Sequence, residues 1–139
     1  MTIVQTQTTS FKKELYQAVH NLSTDVLKIA LYTSSADLNA DTTVYTTTAE
    51  ISGTGYTAGG KTLTGVSINS SGYTAYVNFS NVEWNPASFT ARCALIYNSS
   101  KSNKAIAVLD FGSDKTATTT FTITMPVNDA DNALIRSSN

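Results

Sequence analysis

The chain is poor in the residues on which most enzyme chemistry depends. Its 139 residues include a single cysteine, Cys93, and a single histidine, His20. One cysteine cannot form a disulfide within the chain, and one histidine cannot build a multi-histidine metal site. A Ser-His-Asp or Cys-His relay would have to pass through His20, whose nearest acidic neighbour in sequence is Asp25. We therefore expect no enzyme activity, and no catalytic, metal-binding or cofactor-binding residues.

Charge is also scarce. Charged residues make up 14% of the chain and the net charge is −1, whereas about 25% is usual. Basic and acidic residues are nearly balanced in both halves of the chain, which argues against nucleic-acid binding and against a membrane-surface patch. No apolar run reaches transmembrane length, and the first residues lack an apolar run of signal-peptide length. The sequence thus predicts a chain made in a cytosol, without nucleic-acid or membrane partners.

Three isolated features each have an ordinary structural explanation. His20 lies near the end of a predicted helix, where a surface or capping histidine suits the helix dipole. Cys93 lies in an apolar run and is predicted to be a small core residue. Asp129 and Asp131 resemble half of a calcium loop, but the central glycine and closing glutamate are missing. Turn capping is therefore the better interpretation of these two acids.

Two further patterns suggest ligands. Residues 55–62 (GYTAGGKT) satisfy the spacing of a phosphate-binding loop. Such a loop must lead into a helix, and the residues after Thr62 alternate like a strand, so we interpret the match as chance. Trp84, Tyr56 and Tyr45 could form a platform for stacking sugars, although aromatic residues also fill small cores and protein interfaces.

One helix is predicted near the start of the chain. Apolar residues recur at helical spacing over residues 11–21, from Phe11 onward, with Ser10 as the cap and Asn21 as the stop. Residues 1–9 before it are polar and β-prone, and are expected to form a mobile arm or an edge strand. Residues 10–139 are expected to form one domain.

The rest of the chain has the spacing of an all-β protein. Residues 26–32 predict a mostly buried strand, and residues 33–60 a long, weakly patterned loop that is functional or docked on something. Further strands are predicted at 62–68, 73–79, 92–97, 104–111, 116–124 and 133–135, with turns at 69–72 and 112–115. The predicted fold is mainly β: an antiparallel two-sheet sandwich, of jelly-roll or immunoglobulin-like type, with one N-terminal α-helix.

Four stretches carry a pattern that extends over nearly the whole chain: 11–38 (FKKELYQAVHNLSTDVLKIALYTSSADL), 45–63 (YTTTAEISGTGYTAGGKTL), 89–112 (FTARCALIYNSSKSNKAIAVLDFG) and 121–136 (FTITMPVNDADNALIR). Together they resemble small virion structural proteins of tailed bacteriophages, and among these most closely the capsid cement, or decoration, proteins. The composition agrees with this resemblance: 23 Thr and 16 Ser stand where charged residues are scarce, and a surface with many hydroxyl groups and little charge is typical of extracellular proteins.

The resemblance implies a mechanical function. Such a protein would be assembled in the host cytoplasm and would bind the outer surface of the capsid, across contacts between major capsid protein subunits. It would itself form a homo-oligomer, a dimer or a trimer. The candidate interface comprises residues of the arm and of the long loop, together with the tryptophan: Ile3, Val4, Tyr45, Ile51, Tyr56 and Trp84.

Two alternatives stay open on the sequence alone. The first is another virion component, either a head–tail connector or a part of the tail or its fibres, which would be present in far fewer copies than a cement protein. The second is a carbohydrate-binding or adhesive β-sandwich module, which would use exposed aromatic rings such as Trp84.

Overall fold

The protein is mainly β. The computed structural model describes residues 2–138. Strands account for 43% of the chain and helix for 8%, and the antiparallel sheets lie in a sandwich-like arrangement. These features confirm the predicted mainly-β sandwich with one helix. Nowhere in residues 2–138 does a helix have the length and apolar character needed to cross a membrane.

One α-helix and ten strands follow one another along the described chain. The helix α1 is Thr9–Tyr16, and a 3-10 turn covers Ser99–Lys101. The strands are β1 (Thr6–Gln7), β2 (Leu27–Tyr32), β3 (Lys61–Thr62), β4 (Ser67–Ser71), β5 (Thr74–Asn78), β6 (Val82–Trp84), β7 (Phe89–Asn98), β8 (Lys104–Ala117), β9 (Phe121–Ile123) and β10 (Ile135–Ser137).

A five-stranded antiparallel sheet lies at the centre, in the order β1-β8-β7-β2-β3. A three-stranded sheet, β10-β5-β4, and a two-stranded sheet, β6-β9, complete the strand layers. Apolar side chains of the smaller sheets and of α1 belong to the same core as one face of the central sheet. This larger core contains the rings of Phe11, Trp84, Phe89 and Phe121.

The other face of the central sheet is covered as well. Residues 33–49 lie over it and supply Ala36 and Leu38, both 1% exposed, to a second core. The sheet contributes side chains from its central strands, among them Tyr32, Leu95 and Val108. Burial on both faces explains why β2 and β7 are continuous apolar runs rather than alternating ones. The long, weakly patterned loop is therefore docked on the sheet over this part of its length.

Helix α1 starts earlier than the predicted residue 11. Its N-cap is Thr8 rather than Ser10: the Thr8 hydroxyl oxygen accepts a hydrogen bond from the Phe11 amide at 3.2 Å. The Thr8 amide in turn donates to the carbonyl of Ile106 at 2.9 Å. Ile106 lies in a β-bulge of β8, where the pairing with β7 shifts register. The start of the helix is thus set by a contact with a distant strand, which the local pattern could not indicate.

The helix also ends well before the predicted Asn21. Ala18 adopts a left-handed conformation with φ 58°. Its amide donates to the Leu15 carbonyl at 3.2 Å, and the Val19 amide donates to the Glu14 carbonyl at 3.0 Å. This is the hydrogen-bond pattern of a Schellman cap, with alanine where glycine is usual. Because the helix stops here, Leu22 reaches the core from a loop, while Leu15 stays 40% exposed.

Replacing Ala18 by glycine is expected to stabilise the protein by about 0.5–1 kcal/mol, because a Cβ is disfavoured in the left-handed conformation. Ala18 is exposed, so little packing is lost. Chemical denaturation of the wild type and of Ala18→Gly gives the difference. A variant less stable than the wild type would contradict the capping geometry.

The N-terminal segment is built into the fold from Ile3 onward. Ile3 forms a parallel bridge with Leu38, and β1 pairs with β8 as an edge strand. The side-chain amide of Gln7 donates to the Arg136 carbonyl at 2.9 Å, which ties the first strand to the last. Of the two expectations for residues 1–9, the structure shows the edge strand for this part of the segment.

Strand β8 runs through the turn predicted at residues 112–115. Lys115 pairs with Ala91 of β7 and Asp110 pairs with Cys93, so residues 111–114 bulge out opposite the single residue Arg92. Arg92 forms an ion pair with Asp110 at the base of this bulge. The turn-forming residues do bend the chain, but the strand then resumes pairing with the same partner, and β9 is reduced to Phe121–Ile123.

The predicted strand 62–68 is divided between β3 and β4. The turn expected at 69–72 lies instead at Gly72-Tyr73, because residues up to Ser71 pair with β5. Gly72 has φ 61° and takes the first central position of this two-residue loop, where glycine is favoured.

Candidate functional site

An apolar cleft of about 700 Å³ opens beside helix α1. One wall is formed by the helix and the loop after it, and the other by the three-stranded sheet β10-β5-β4. Three apolar side chains at the cleft are substantially exposed: Leu15 at 40%, Tyr16 at 94% and Ile68 at 49%. Buried side chains of the core form its deeper lining: Phe11, Leu22, Val77 and Ile135. The cleft therefore has an apolar interior and three exposed apolar side chains at its rim.

Two cationic side chains, Lys12 and Arg136, line the same cleft, and among its described lining residues none is acidic. Arg136 donates to the backbone carbonyl of Asp131. An apolar cleft beside cationic side chains is suited to a protein partner that presents apolar and acidic groups.

A polar network lies next to this cleft and contains His20. His20 is buried at 8% exposure, so the expectation of a surface histidine is wrong. Its Nε2 lies 2.9 Å from a carboxylate oxygen of Glu14, and its Nδ1 lies 3.0 Å from the side-chain nitrogen of Asn98. Because the Asn98 nitrogen can only donate, Nδ1 must accept, and the proton of the neutral ring sits on Nε2. The ring also packs against Phe11 at a centroid distance of 5.1 Å.

The network continues to Asp25. The side-chain nitrogen of fully buried Asn98 donates its second hydrogen to Asp25 at 2.8 Å, and Lys101 reaches both Asp25 oxygens at 3.1 Å. Burial raises the pKa of Asp25, but hydrogen bonds from the Asn21 amide, Asn98 and Lys101 outweigh it and leave the pKa below the ordinary 3.8. Asn98 separates His20 from Asp25, so these two residues form no proton relay. Their contacts fasten the loop after α1 to the end of β7.

Removing the Asp25 charge is expected to lower the stability of the fold above pH 4 and to have a smaller effect on stability at acidic pH. A folded-state pKa below the ordinary value means that the carboxylate stabilises the fold above about pH 4, and that this stabilisation is lost as the pH falls through the folded value. Melting temperatures of the wild type and of Asp25→Asn should therefore converge on acidification. Asp114→Asn, at an exposed position in the β8 bulge, is the control. A wild-type advantage that persists unchanged to pH 2 would contradict the lowered pKa.

The candidate interface residues of the long loop point inward. Glu50 accepts hydrogen bonds from the Tyr45 hydroxyl at 2.6 Å, the Tyr56 hydroxyl at 2.5 Å and the Gly59 amide at 2.8 Å. Tyr97 donates to the Gly59 carbonyl at 2.7 Å and stacks on Tyr45 with a centroid distance of 4.6 Å. Burial, followed by the hydrogen bond to Glu50, raises the pKa of both Tyr45 and Tyr56. We call these five residues the tyrosine–glutamate cluster.

Trp84 and Ile51 cannot contact a partner, because both lie in the core at 1% and 6% exposure. Their assignment to an interface is therefore wrong for the folded chain. The rings of Tyr56, Phe89 and Phe121 surround Trp84 at centroid distances of 6.0–6.4 Å. No sugar can stack on a tryptophan enclosed in this way.

The two remaining candidates lie on the N-terminal segment and differ in exposure. Ile3 is half-buried against the second core, whereas Val4 is 44% exposed. None of the six predicted interface residues lines the cleft.

The glycine-rich loop follows the backbone beneath it rather than surrounding a phosphate. A Cβ on Gly60 would lie 1.8 Å from the Ile29 carbonyl oxygen, and one on Gly55 would lie 1.9 Å from that of Pro86. Lys61 and Thr62 then form strand β3 and not the start of a helix. Lys61 donates to the Glu83 carbonyl, so its amine is directed to the backbone of β6.

The remaining singled-out residues have structural contacts. Cys93 is fully buried, and burial raises its pKa to about 12, which makes the thiolate scarce at neutral pH. Asp129 accepts hydrogen bonds from the backbone amides of Asp131 and Asn132, at 3.0 and 2.8 Å, and so caps its own turn. Among the described residues, no group of three or more His, Cys, Asp or Glu side chains could hold a metal ion.

The sequence gives no direct signal for the cleft. The helical spacing predicted over residues 11–21 puts Leu15 on the same apolar face as Phe11. The early stop at Ala18 redirects the chain and leaves Leu15 and Tyr16 in the open. Alanine gives no local warning of a left-handed residue, so the pattern could not reveal this.

Comparison with known proteins finds no matching family model, no similar curated protein and no similar solved structure.

Proposed function

We propose that this chain is a non-enzymatic structural protein of a virion: a cement protein that binds the outer surface of a phage capsid and stabilises contacts between major capsid protein subunits. The resemblance of four long stretches to such proteins suggests this role. The hydroxyl-rich, weakly charged composition agrees with it. In this proposal the protein acts on the capsid surface after assembly in the host cytoplasm.

The observation that carries the proposal is the cleft beside α1. Tyr16, Leu15 and Ile68 remain exposed at a cleft with an apolar interior, whose lining also includes Lys12 and Arg136. Protein interfaces are enriched in aromatic residues and arginine, with an apolar centre. We assign the contact with the major capsid protein to this cleft.

The tyrosine–glutamate cluster supports a role in rigid binding. Hydrogen bonds to the Glu50 carboxylate tie the loop around residues 45–59 to itself, and the bonds from Tyr97 to the Gly59 carbonyl and from the Leu31 amide to the Tyr56 hydroxyl fix it to the central sheet. A surface that is already ordered loses less conformational entropy when it binds. The chain can therefore dock as a preformed block.

Binding of this kind stabilises a shell by mass action. A ligand that binds only the mature lattice must dissociate before the shell can open, so its binding free energy adds to shell stability. Many weak contacts on a symmetric lattice act together through multivalency, and a homo-oligomer, a dimer or a trimer, would strengthen them further.

The first experiment measures copy number. Quantitative mass spectrometry of purified particles of the encoding virus gives the ratio of this chain to the major capsid protein. We expect a ratio near one to one. A handful to a few dozen copies per particle would identify a connector or tail component and overturn the cement role. Absence from the particles would overturn the virion assignment altogether.

A second experiment tests the cleft. Tyr16→Ser should lower the occupancy of stripped particles by added protein without lowering the melting temperature, because this ring is 94% exposed. Tyr73→Ser is the matched control, since Tyr73 is 93% exposed but lies at the tip of the β4–β5 hairpin, outside the cleft. Equal occupancy for the two variants would move the contact elsewhere.

A further inference from the structure

Strand β4 forms an open edge of the three-stranded sheet. It pairs with β5 on one side, and within residues 2–138 no backbone hydrogen bond reaches its other side. Alternate residues of an antiparallel strand direct their N–H and C=O groups to opposite sides. Because a two-residue loop follows Ser71, Ser71 and Thr74 form a hydrogen-bonded pair, and the backbone groups of Ser71 point toward β5. By alternation, the backbone N–H and C=O groups of Ile68 and Ser70 point away from β5, toward the open edge.

This edge lacks the devices that usually protect an exposed strand. Charged side chains, proline and very short length are the common ones. The other sheet edges have them: β1 and β3 are two residues long, β3 includes Lys61, and β10 includes Arg136. β4 is five residues long, and residues 62–82 contain no Asp, Glu, Lys or Arg.

The edge is complementary to itself. A two-fold axis through Asn69 would pair Ile68 of one copy with Ser70 of the other, and the reverse, which forms about four backbone hydrogen bonds. The two Asn69 side chains would face each other on the polar side of the sheet, where their amides can bond. Because the edge is uncharged, no like charges meet in this register.

We propose that two copies of this chain associate through antiparallel pairing of their β4 strands. The product is a continuous six-stranded sheet in the order β10-β5-β4-β4-β5-β10, with the two clefts opening on the same face. Ile68, which is 49% exposed in the single chain, would gain Ser70 of the other copy as a neighbour along the sheet while its side chain still faces the cleft. The pairing is a property of the isolated chain, so its test needs no capsid.

Light scattering coupled to size exclusion tests the proposal. We expect the purified chain to show a mass of twice 14.8 kDa. Asn69→Asp and Asn69→Lys should each be monomeric, because like charges would oppose each other across the axis. A mixture of the two should restore the dimer, now of mixed composition. Thr48→Asp and Thr48→Lys, at an exposed position in the loop over the other face of the central sheet, should stay dimeric.

Several results would overturn the proposal: a wild-type monomer at concentrations up to roughly 1 mM, a trimer, Asn69 variants that stay dimeric alone, or a mixture that stays monomeric. Ser70→Pro provides an independent check, since it removes an outward amide while leaving the ladder to β5 its donors. We expect it to be monomeric. Circular dichroism establishes whether each variant is folded. If Ser70→Pro is unfolded, the Asn69→Asp and Asn69→Lys variants, measured alone and mixed, decide whether the β4 strands pair.

Discussion

Replacing Glu50 by alanine is expected to lower the free energy of unfolding by about 3 kcal/mol. The substitution leaves the Tyr45 hydroxyl, the Tyr56 hydroxyl and the Gly59 amide without their acceptor. Each hydrogen bond to a charged group contributes about 1.5–3 kcal/mol, and partial exposure of the site reduces the sum. Urea denaturation followed by circular dichroism measures the loss.

Glu50→Gln separates charge from shape. The carbonyl oxygen of the glutamine still accepts from one tyrosine, whereas its NH₂ group faces a donor. We therefore expect a free energy of unfolding between that of the wild type and that of Glu50→Ala. Tyr45→Phe in the Glu50→Ala background should cost little more than Glu50→Ala alone, because the hydroxyl has already lost its partner. A loss below about 0.5 kcal/mol for Glu50→Ala would mean that water replaces the carboxylate without cost, and that the cluster does not hold the loop.

Replacing Trp84 by alanine is expected to lower the free energy of unfolding by about 3–5 kcal/mol, as is usual when a large aromatic side chain is removed from a core. The ring is 1% exposed and surrounded by Tyr56, Phe89 and Phe121. Trp84 is the only tryptophan, so circular dichroism must replace fluorescence as the probe.

Trp84→Phe is the control, because it keeps an aromatic ring in the same space and should lose less stability. An alanine variant as stable as the wild type would show that the indole does not fill the core. The expected instability also bears on the carbohydrate alternative. Loss of glycan binding in Trp84→Ala would report unfolding of the core, since the ring is enclosed.

The sequence predicts the strands well where buried apolar residues form a simple pattern along the chain. The β2 region was recognised from branched and aromatic residues, and its structure, Leu27–Tyr32, differs from the prediction by one residue. The β7 and β8 regions were recognised for the same reason. The class of fold followed from these strands and from the helix near the start.

The sequence was uninformative where distant contacts decide the structure. The start of α1 depends on Thr8 reaching the bulge at Ile106, and the end depends on a left-handed alanine. Residues 33–49 lack a pattern because they cover a sheet face as a loop, with single anchors such as Leu38. These features depend on tertiary contacts and produce no periodic pattern of apolar residues in the sequence.

The candidate site was missed for a related reason. Tyr45 and Tyr56 are predicted interface residues because they lie in a long loop, and no pattern in the sequence connects them with Glu50. Of the exposed residues at the cleft, Leu15 belongs to the predicted helix face, which the structure does not continue to residue 21. An interface prediction from sequence requires knowing which apolar residues remain uncovered, and that depends on where each element stops.

The hydrogen bond from Gln7 to the carbonyl of Arg136 has a practical consequence for engineering. It places strands β1 and β10 side by side, and Gln5 and Ser138 line one shared groove. A short linker from Ser138 to Gln5 would bridge this groove, so a circularly permuted chain opened at the exposed residues 102–103 would keep every strand of the central sheet.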